Sequence, residues 1–329
     1  MPPNRPSPVY EFARSQRRRH KSGIRRCQRD NVAHMACRII VCLVMLVGTA
    51  GVCHSQIVPA QPKQPHCSVV GDLRILPFSS KVFHNTRMLR VWLPPGYRSP
   101  DHAAERYPVL YLNDGQDLFD ACTSIFNSEE WGVDEAATAL IQQGKIPPII
   151  IVGIDHAGKR DRPKEYLPFP DDTLRPATPN VYGKDYPKFL VDEVMPFIDR
   201  TYRTDPTPAT TGLGGSSYGA GIALYTVMRR PTRFGRLLLE SSSLYAHDDY
   251  LLHRAETFHR WPAKIYVGVG SINEPVDDVH RLQATLARQG LGGQRLLVIE
   301  EPGAGHDEKA WAQRFPRALE FLYGLRAER

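Results

Sequence analysis

Five short apolar runs recur along the chain: VLYL at 109–112, IIIVGI at 149–154, LLLE at 237–240, KIYVGV at 264–269 and RLLVIE at 295–300. A run this short with no polar alternation suits a strand covered on both faces. Between the runs lie segments of helical periodicity at 131–143, 186–202, 220–230 and 279–288, the second with Leu190, Val194, Phe197 and Ile198 on one stripe. Strand alternating with helix predicts an α/β fold with a doubly wound, mostly parallel sheet in a single domain. Pro196 and Pro316 fall inside two of the helical segments, and each predicts a kink or a split there. KVFHNTRMLRVWLP at 81–94 predicts two strands around a His84-Asn85 turn, with Met88, Arg90 and Trp92 on one face and Leu89, Val91 and Leu93 on the other.

Net charge invites a nucleic-acid reading until its location is considered. The chain carries +7, and residues 1–34 hold nine Arg or Lys against Glu11 and Asp30, which is the whole excess. The part after Arg38 is therefore close to neutral, at about −1, and has no overall attraction for a polyanion. After the basic leader comes ACRIIVCLVMLVGTAG at 36–51. A basic flank, a short apolar stretch and a small-residue exit are the pattern of a signal peptide, and retention of residues 36–52 as a membrane anchor is the alternative. Met35 is also a candidate start. The expected organisation is a leader over 1–55, a Pro/Gln linker over 56–66 and one catalytic domain over 67–329, placed in the periplasm or outside the cell. Beyond the leader only Cys67 and Cys122 remain of six cysteines; a bridge and two separate thiols both fit, and no CxxC metal signature occurs.

GLGGSSYGAG at 212–221 carries the chemistry. Gly215-Ser216-Ser217-Tyr218-Gly219 fits GxSxG, where a serine is displayed on a sharp strand-to-helix turn. Such a pentapeptide arises by chance in roughly one chain in ten of this length, so the context decides. ATTGLG before it reads as a strand and GAGIALYTVMRR after it as a helix. A serine hydroxyl needs a base. His306 is the candidate, because GAGH follows the apolar run RLLVIE and so lies at a strand's carboxyl end, after the serine in chain order. The acid should lie between them, in SINEPVDD after KIYVGVG. Glu274 sits on the loop itself, whereas Asp277 and Asp278 suit a first helical turn. Oxyanion donors are expected from the backbone amides of Tyr218 and of Gln116, the latter in NDGQDLF after VLYL.

Taken together, these residues resemble the α/β-hydrolases of the enterochelin esterase and esterase D family. The resemblance covers about residues 71–325 and rests on RVWLPPGY, YPVLYLNDGQDLFD, VGID, RPKEYLPF, FLVDEVMPFIDRTYRT, GLGGSSYGAG and GAGHDEKAW. It implies Ser217 as nucleophile, His306 as base and Gln116 and Tyr218 as oxyanion donors, with no metal or other cofactor. It also marks Arg162 and Glu165 as signature residues, through an ion pair or a substrate contact. Tyr218 and Ala220 stand where the family usually has methionine and glycine. The reaction this implies is hydrolysis of a small-molecule or polysaccharide-linked ester through an acyl-enzyme. Acyl transfer by the same serine and a non-catalytic binding protein on the same fold are the alternatives.

Overall fold

The computed structural model describes residues 67, 69–126, 129–171, 178 and 180–325. The leader, anchor and linker expected over 1–66 lie outside the described residues. Among the described residues, no helix is long and apolar enough to cross a membrane.

Eight strands form one sheet in the order β1-β2-β4-β3-β5-β6-β7-β8. β1 (Asp72–Ser80) and β2 (Asn85–Leu93) are an antiparallel pair at one edge, and β2 also runs antiparallel to β4 (Ile150–Ile154). β3 (Val109–Asn113), β4, β5 (Thr211–Ser216), β6 (Arg236–Glu240), β7 (Lys264–Gly270) and β8 (Leu296–Glu301) are parallel neighbours. All five apolar runs are strands of this sheet. The expected doubly wound α/β architecture is the observed one.

The two-residue period of a strand sorts each run between two cores. Val109, Tyr111, Leu213 and Ile265 join one cluster, whereas Leu110, Leu112, Leu238 and Tyr266 join the other. The second cluster is covered by α1 (Val133–Gln142) and α8 (Glu308–Tyr323), through Val133, Ala137, Phe315 and Leu319. The first is covered by the remaining long helices. These are α3 (Tyr186–Lys188), which passes through a π-helical turn at Phe189–Val194 into α4 (Met195–Thr201), then α5 (Tyr218–Arg229), α6 (Ala246–Thr257) and α7 (Val276–Arg288). A short α2 (Arg162–Tyr166) follows β4.

Several local expectations need correction. Lys81 to Phe83 form the turn rather than a strand, because β1 lies upstream over Asp72–Ser80 and His84 takes a left-handed φ of 51° to start β2. The face assignment within β2 holds, with Leu89, Val91 and Leu93 in one core and Trp92 in the other. The helical segment at 186–202 does not split at Pro196 but changes character to a π turn over Phe189–Val194 just before it, and the chain stays helical through the proline. α8 stays a single helix across Pro316, because Phe315, Ala318, Leu319 and Leu322 anchor both sides of it in the core. α6 had no sequence signal, since its polar first turn takes left-handed φ at His247, Asp248 and Asp249.

Cys67 and Cys122 form a disulfide across a sequence separation of 55. Replacing both with serine removes the constraint on the unfolded chain and is expected to cost about 2–4 kcal/mol. At about 2–4 °C per kcal/mol, a domain of this size should then melt about 4–16 °C lower. Calorimetry of the double variant, compared with reduced and oxidised parent, measures this; coincident melting of all three would dismiss the bridge as a stabiliser.

Candidate active site

Ser217 occupies the single residue between β5 and α5, with φ 55° and ψ −126°. A non-glycine residue there is strained by an amount on the order of 1–3 kcal/mol, so the surroundings must hold it. Its N–H donates to the Glu240 carbonyl at 2.9 Å, and its carbonyl accepts from Gly221 N at 3.1 Å and Ser243 N at 3.2 Å. The flanking glycines permit this turn. A Cβ on Gly215 would lie 2.9 Å from the Gly219 carbonyl carbon, and one on Gly219 would lie 2.7 Å from Asp114 Oδ2. Asn113 Nδ2 donates to the Gly219 carbonyl at 2.7 Å, and its Oδ1 accepts from the Tyr186 hydroxyl. The end of β3 is thereby tied to the first turn of α5 and to the start of α3.

His306 lies between β8 and α8, past the carboxyl end of its strand as Ser217 is past that of β5. Asp307 caps α8 by accepting from Ala310 N at 2.8 Å, which fixes where the loop stops and the helix starts. The neighbouring loop after β7 is joined to this one by Ser271 N and Ile272 N, both donating to the Ala304 carbonyl at 3.0 Å. It carries Glu274, which is 2% exposed and places Oε2 2.9 Å from His306 Nδ1. Asp277 and Asp278 lie in the first turn of α7, and Asp278 binds Arg281 at 3.1 Å. Of the three acids left open by the sequence, Glu274 is the one brought to His306.

Ser217 Oγ lies 3.5 Å from Ser243 Oγ, and among the described residues it makes no hydrogen bond to His306. Both residues nevertheless sit at carboxyl ends of strands in one parallel set. Gln116 falls in a 3₁₀ turn at Gly115–Asp117, directly after β3, the neighbour of β5. That turn is braced: the Thr123 hydroxyl donates to the Gln116 carbonyl at 2.8 Å, His156 N donates to Gln116 Oε1 at 3.3 Å, and Arg90 reaches Thr123 at 3.1 Å. The Tyr218 amide is the first of α5, a position with no intrahelical acceptor.

Arg162 and Glu165 are ion-paired, but each to a different partner. Arg162 grips Asp114 with two bonds of 2.7 and 2.8 Å, and Glu165 meets Arg87 at 2.9 Å in full burial. Burial would lower the Arg162 pKa, but the Asp114 carboxylate outweighs it and holds the guanidinium charged. Burial, with the Asp114 charge adding to it, raises Asp117 to about 6, and burial lowers His156 to about 4, so the imidazole is neutral near pH 7. Burial likewise pushes the Tyr218 phenol well up, and raises Glu240 to about 7 against the opposing pull of Arg314.

A pocket opens beside the serine, lined by Tyr166, Phe169, Tyr218, Ser243, His247 and Tyr250 among others. Phe169 stacks on His247 at 5.1 Å and meets Tyr250 edge-on at 4.9 Å. Tyr166, Phe169, Tyr218 and Tyr250 give the wall an aromatic part, and Leu167, Pro168, Ala246 and Leu251 make most of the rest apolar. The stretch 155–185 supplies Tyr166 to Phe169 to this lining; residues 172–177 and 179 lie outside the described residues. Among the described residues, the one cluster with metal-ligand spacing is Cys67, Asp120 and Cys122, whose sulfurs are bonded to each other.

Sequence reasoning missed Ser241, Ser243, Asp114 and Trp311. The run SSS at 241–243 directly after LLLE was a usable signal, because it falls at a strand's carboxyl end. Asp114 and Trp311 have no local signature; only their partners reveal them.

Known proteins share this architecture. Uncharacterized protein YbbA of Bacillus subtilis is 24% identical over 254 residues, covering 72% of this chain and 93% of the relative. The endo-1,4-beta-xylanase/feruloyl esterase of Xylanibacter ruminicola is 24% identical over 261 residues, which is 77% of this chain and 31% of that protein. The crystal structure of the enterobactin esterase FES from Shigella flexneri in the presence of enterobactin superposes with a TM-score of 0.61 at 21% identity, over 80% of this chain and 62% of that one. The chain thus spans about a third of one relative and under two thirds of another, but nearly all of YbbA. The family described as "Putative esterase" matches residues 80–322, and the chain belongs to that family of esterase-type hydrolases.

Proposed function

We propose that this protein is an exported serine esterase that works through an acyl-enzyme. Ser217 attacks the ester carbonyl and passes its proton to His306 Nε2. Glu274, on Nδ1, holds the imidazole in that tautomer and stabilises the imidazolium. The amides of Gln116 and Tyr218 receive the oxyanion, the alcohol leaves with the proton from His306, and water activated by the same histidine releases the acid. The observation that carries this reading is the 2.9 Å Glu274–His306 pair, at the carboxyl ends of the same parallel strands that display Ser217 on its strained turn. Productive geometry requires Ser217 Oγ to exchange its Ser243 contact for a hydrogen bond to the imidazole. Catalytic hydrogen bonds commonly tighten in this way only when substrate is bound.

The aromatic part of the wall beside Ser217 favours a flat, aryl-bearing acyl group, and the feruloyl and enterobactin esterases among the relatives support that direction. Export is supported by the basic, then apolar leader and by the Cys67–Cys122 bridge, since disulfides persist in oxidising compartments.

Methyl ferulate, p-nitrophenyl acetate and p-nitrophenyl palmitate, assayed side by side, test both parts. We expect the aryl ester to have the highest kcat/KM. Tyr250→Ala should raise its KM by about tenfold, the loss of roughly one buried aromatic contact, while leaving acetate hydrolysis nearly unchanged. A preference for palmitate would overturn the aryl assignment. A chain that cleaves none of the three and leaves Ser217 unlabelled by a fluorophosphonate would overturn the esterase itself.

A further inference from the structure

Glu274 has two carboxylate oxygens, and the esterase reading uses only one. Its Oε1 accepts from the Ser241 hydroxyl at 2.6 Å, and Ser241 Oγ in turn accepts from the Trp311 indole N–H at 2.9 Å. The direction of this chain is fixed by chemistry. An indole N–H can only donate, so Ser241 Oγ must accept from it and has its own proton left for Glu274. The Trp311 ring then meets the His306 ring edge-on, at 5.3 Å and 82°. Trp311, Ser241, Glu274 and His306 therefore form a closed circuit. It comprises three hydrogen bonds and one ring contact, and it joins the ends of β6 and β7 to α8 and to the loop before it.

We propose that Ser241 and Trp311 are positioning residues for the Glu274–His306 pair, an inference that rests on the esterase reading above. The torsion of a terminal carboxylate is broad and roughly two-fold, so one hydrogen bond to His306 does not define its plane. A second bond on the other oxygen does. Ser241 is fully buried and sits at a left-handed φ of 45°, with its N–H on the Gly268 carbonyl at 2.8 Å. A serine side chain at such a backbone position carries strain, and its hydroxyl makes two hydrogen bonds that a glycine there could not. Trp311 acts twice, setting the Ser241 rotor with its N–H and packing its ring against the imidazole.

Two substitutions separate this role from plain stability. Ser241→Gly removes the hydroxyl at a backbone angle that glycine adopts freely, and Trp311→Phe keeps a ring against His306 but removes the donor. Each should lower kcat by about tenfold, the effect of a lost hydrogen bond to a charged group, with KM unchanged. The double variant should be little worse than either single one, because both act through one hydroxyl. Proton NMR supplies a readout independent of turnover: a low-field Nδ1 proton of His306 should be present in the parent and broadened or lost in Ser241→Gly. Full kcat in both single variants, a multiplicative loss of about a hundredfold in the double, or an unaltered low-field proton would overturn the inference. If the parent cleaves no ester and Ser217 resists labelling, the esterase reading fails separately, and the NMR comparison still decides whether Ser241 orders the pair.

Discussion

Ser217→Ala is expected to reduce kcat by about 10⁴–10⁶-fold while leaving the folded protein intact. The size of the loss follows from the chemistry proposed. Without the hydroxyl no acyl-enzyme forms, and only the oxyanion donors and the binding pocket remain to assist attack by water. The fold should survive because alanine meets the same backbone penalty as serine at φ 55°, and the bonds that hold the turn run through its own N–H and carbonyl. Ser217→Gly should be equally inactive and somewhat more stable, since glycine relieves the strain at that angle. Turnover of an aryl ester together with thermal melting of both variants gives the answer. Retention of more than about a hundredth of parental kcat in Ser217→Ala, with contaminating esterase excluded, would mean that another group is the nucleophile.

Glu165→Ala is expected to destabilise the protein by about 3–5 kcal/mol. Glu165 and Arg87 are both fully buried, with side chains 0% and 1% exposed. Glu165 also accepts from Ala157 N at 3.1 Å. Removing the carboxylate strands the guanidinium between Phe83 and Phe189, whose rings lie 5.2 and 4.6 Å from it, with no anion to offset its lost hydration. At about 2–4 °C per kcal/mol for a domain of this size, melting should fall by about 6–20 °C. Paired replacement, Arg87→Met with Glu165→Leu, should recover most of this loss, because no uncompensated charge is left inside. A single variant that melts with the parent would show that water reaches Arg87 and that the pair is not a structural one.

The fold was legible because β3, β4, β6, β7 and β8 each leave a direct trace, a short apolar run without alternation, and β5 is marked instead by the glycine-rich approach to the serine turn. β1 left no such trace: its burial pattern is mostly exposed or intermediate, as expected of an edge strand, so the first strand of the hairpin was placed in the turn at 81–83 while the second was read correctly as β2. α6 was invisible for a related reason. Its first turn is left-handed at three polar residues, held by His247 on Phe169 and on the Asp171 carboxylate.

The site divided along the same line. The serine turn could be read from order alone, because a positive φ needs small neighbours on both sides and GxSxG states that need locally. His306 was legible through its place after a strand, which is again a property of neighbours in sequence. The choice of Glu274 over Asp277 and Asp278, the pairing of Cys67 with Cys122, the separate partners of Arg162 and Glu165, and the Trp311–Ser241 circuit were not. Each of these joins residues tens of positions apart, and the energy of a hydrogen bond or ion pair depends on distances of a few ångströms that chain order does not encode. Backbone conformation is a short-range property and was carried in the residues themselves; partner choice is a long-range one, and only the packed sheet could make it.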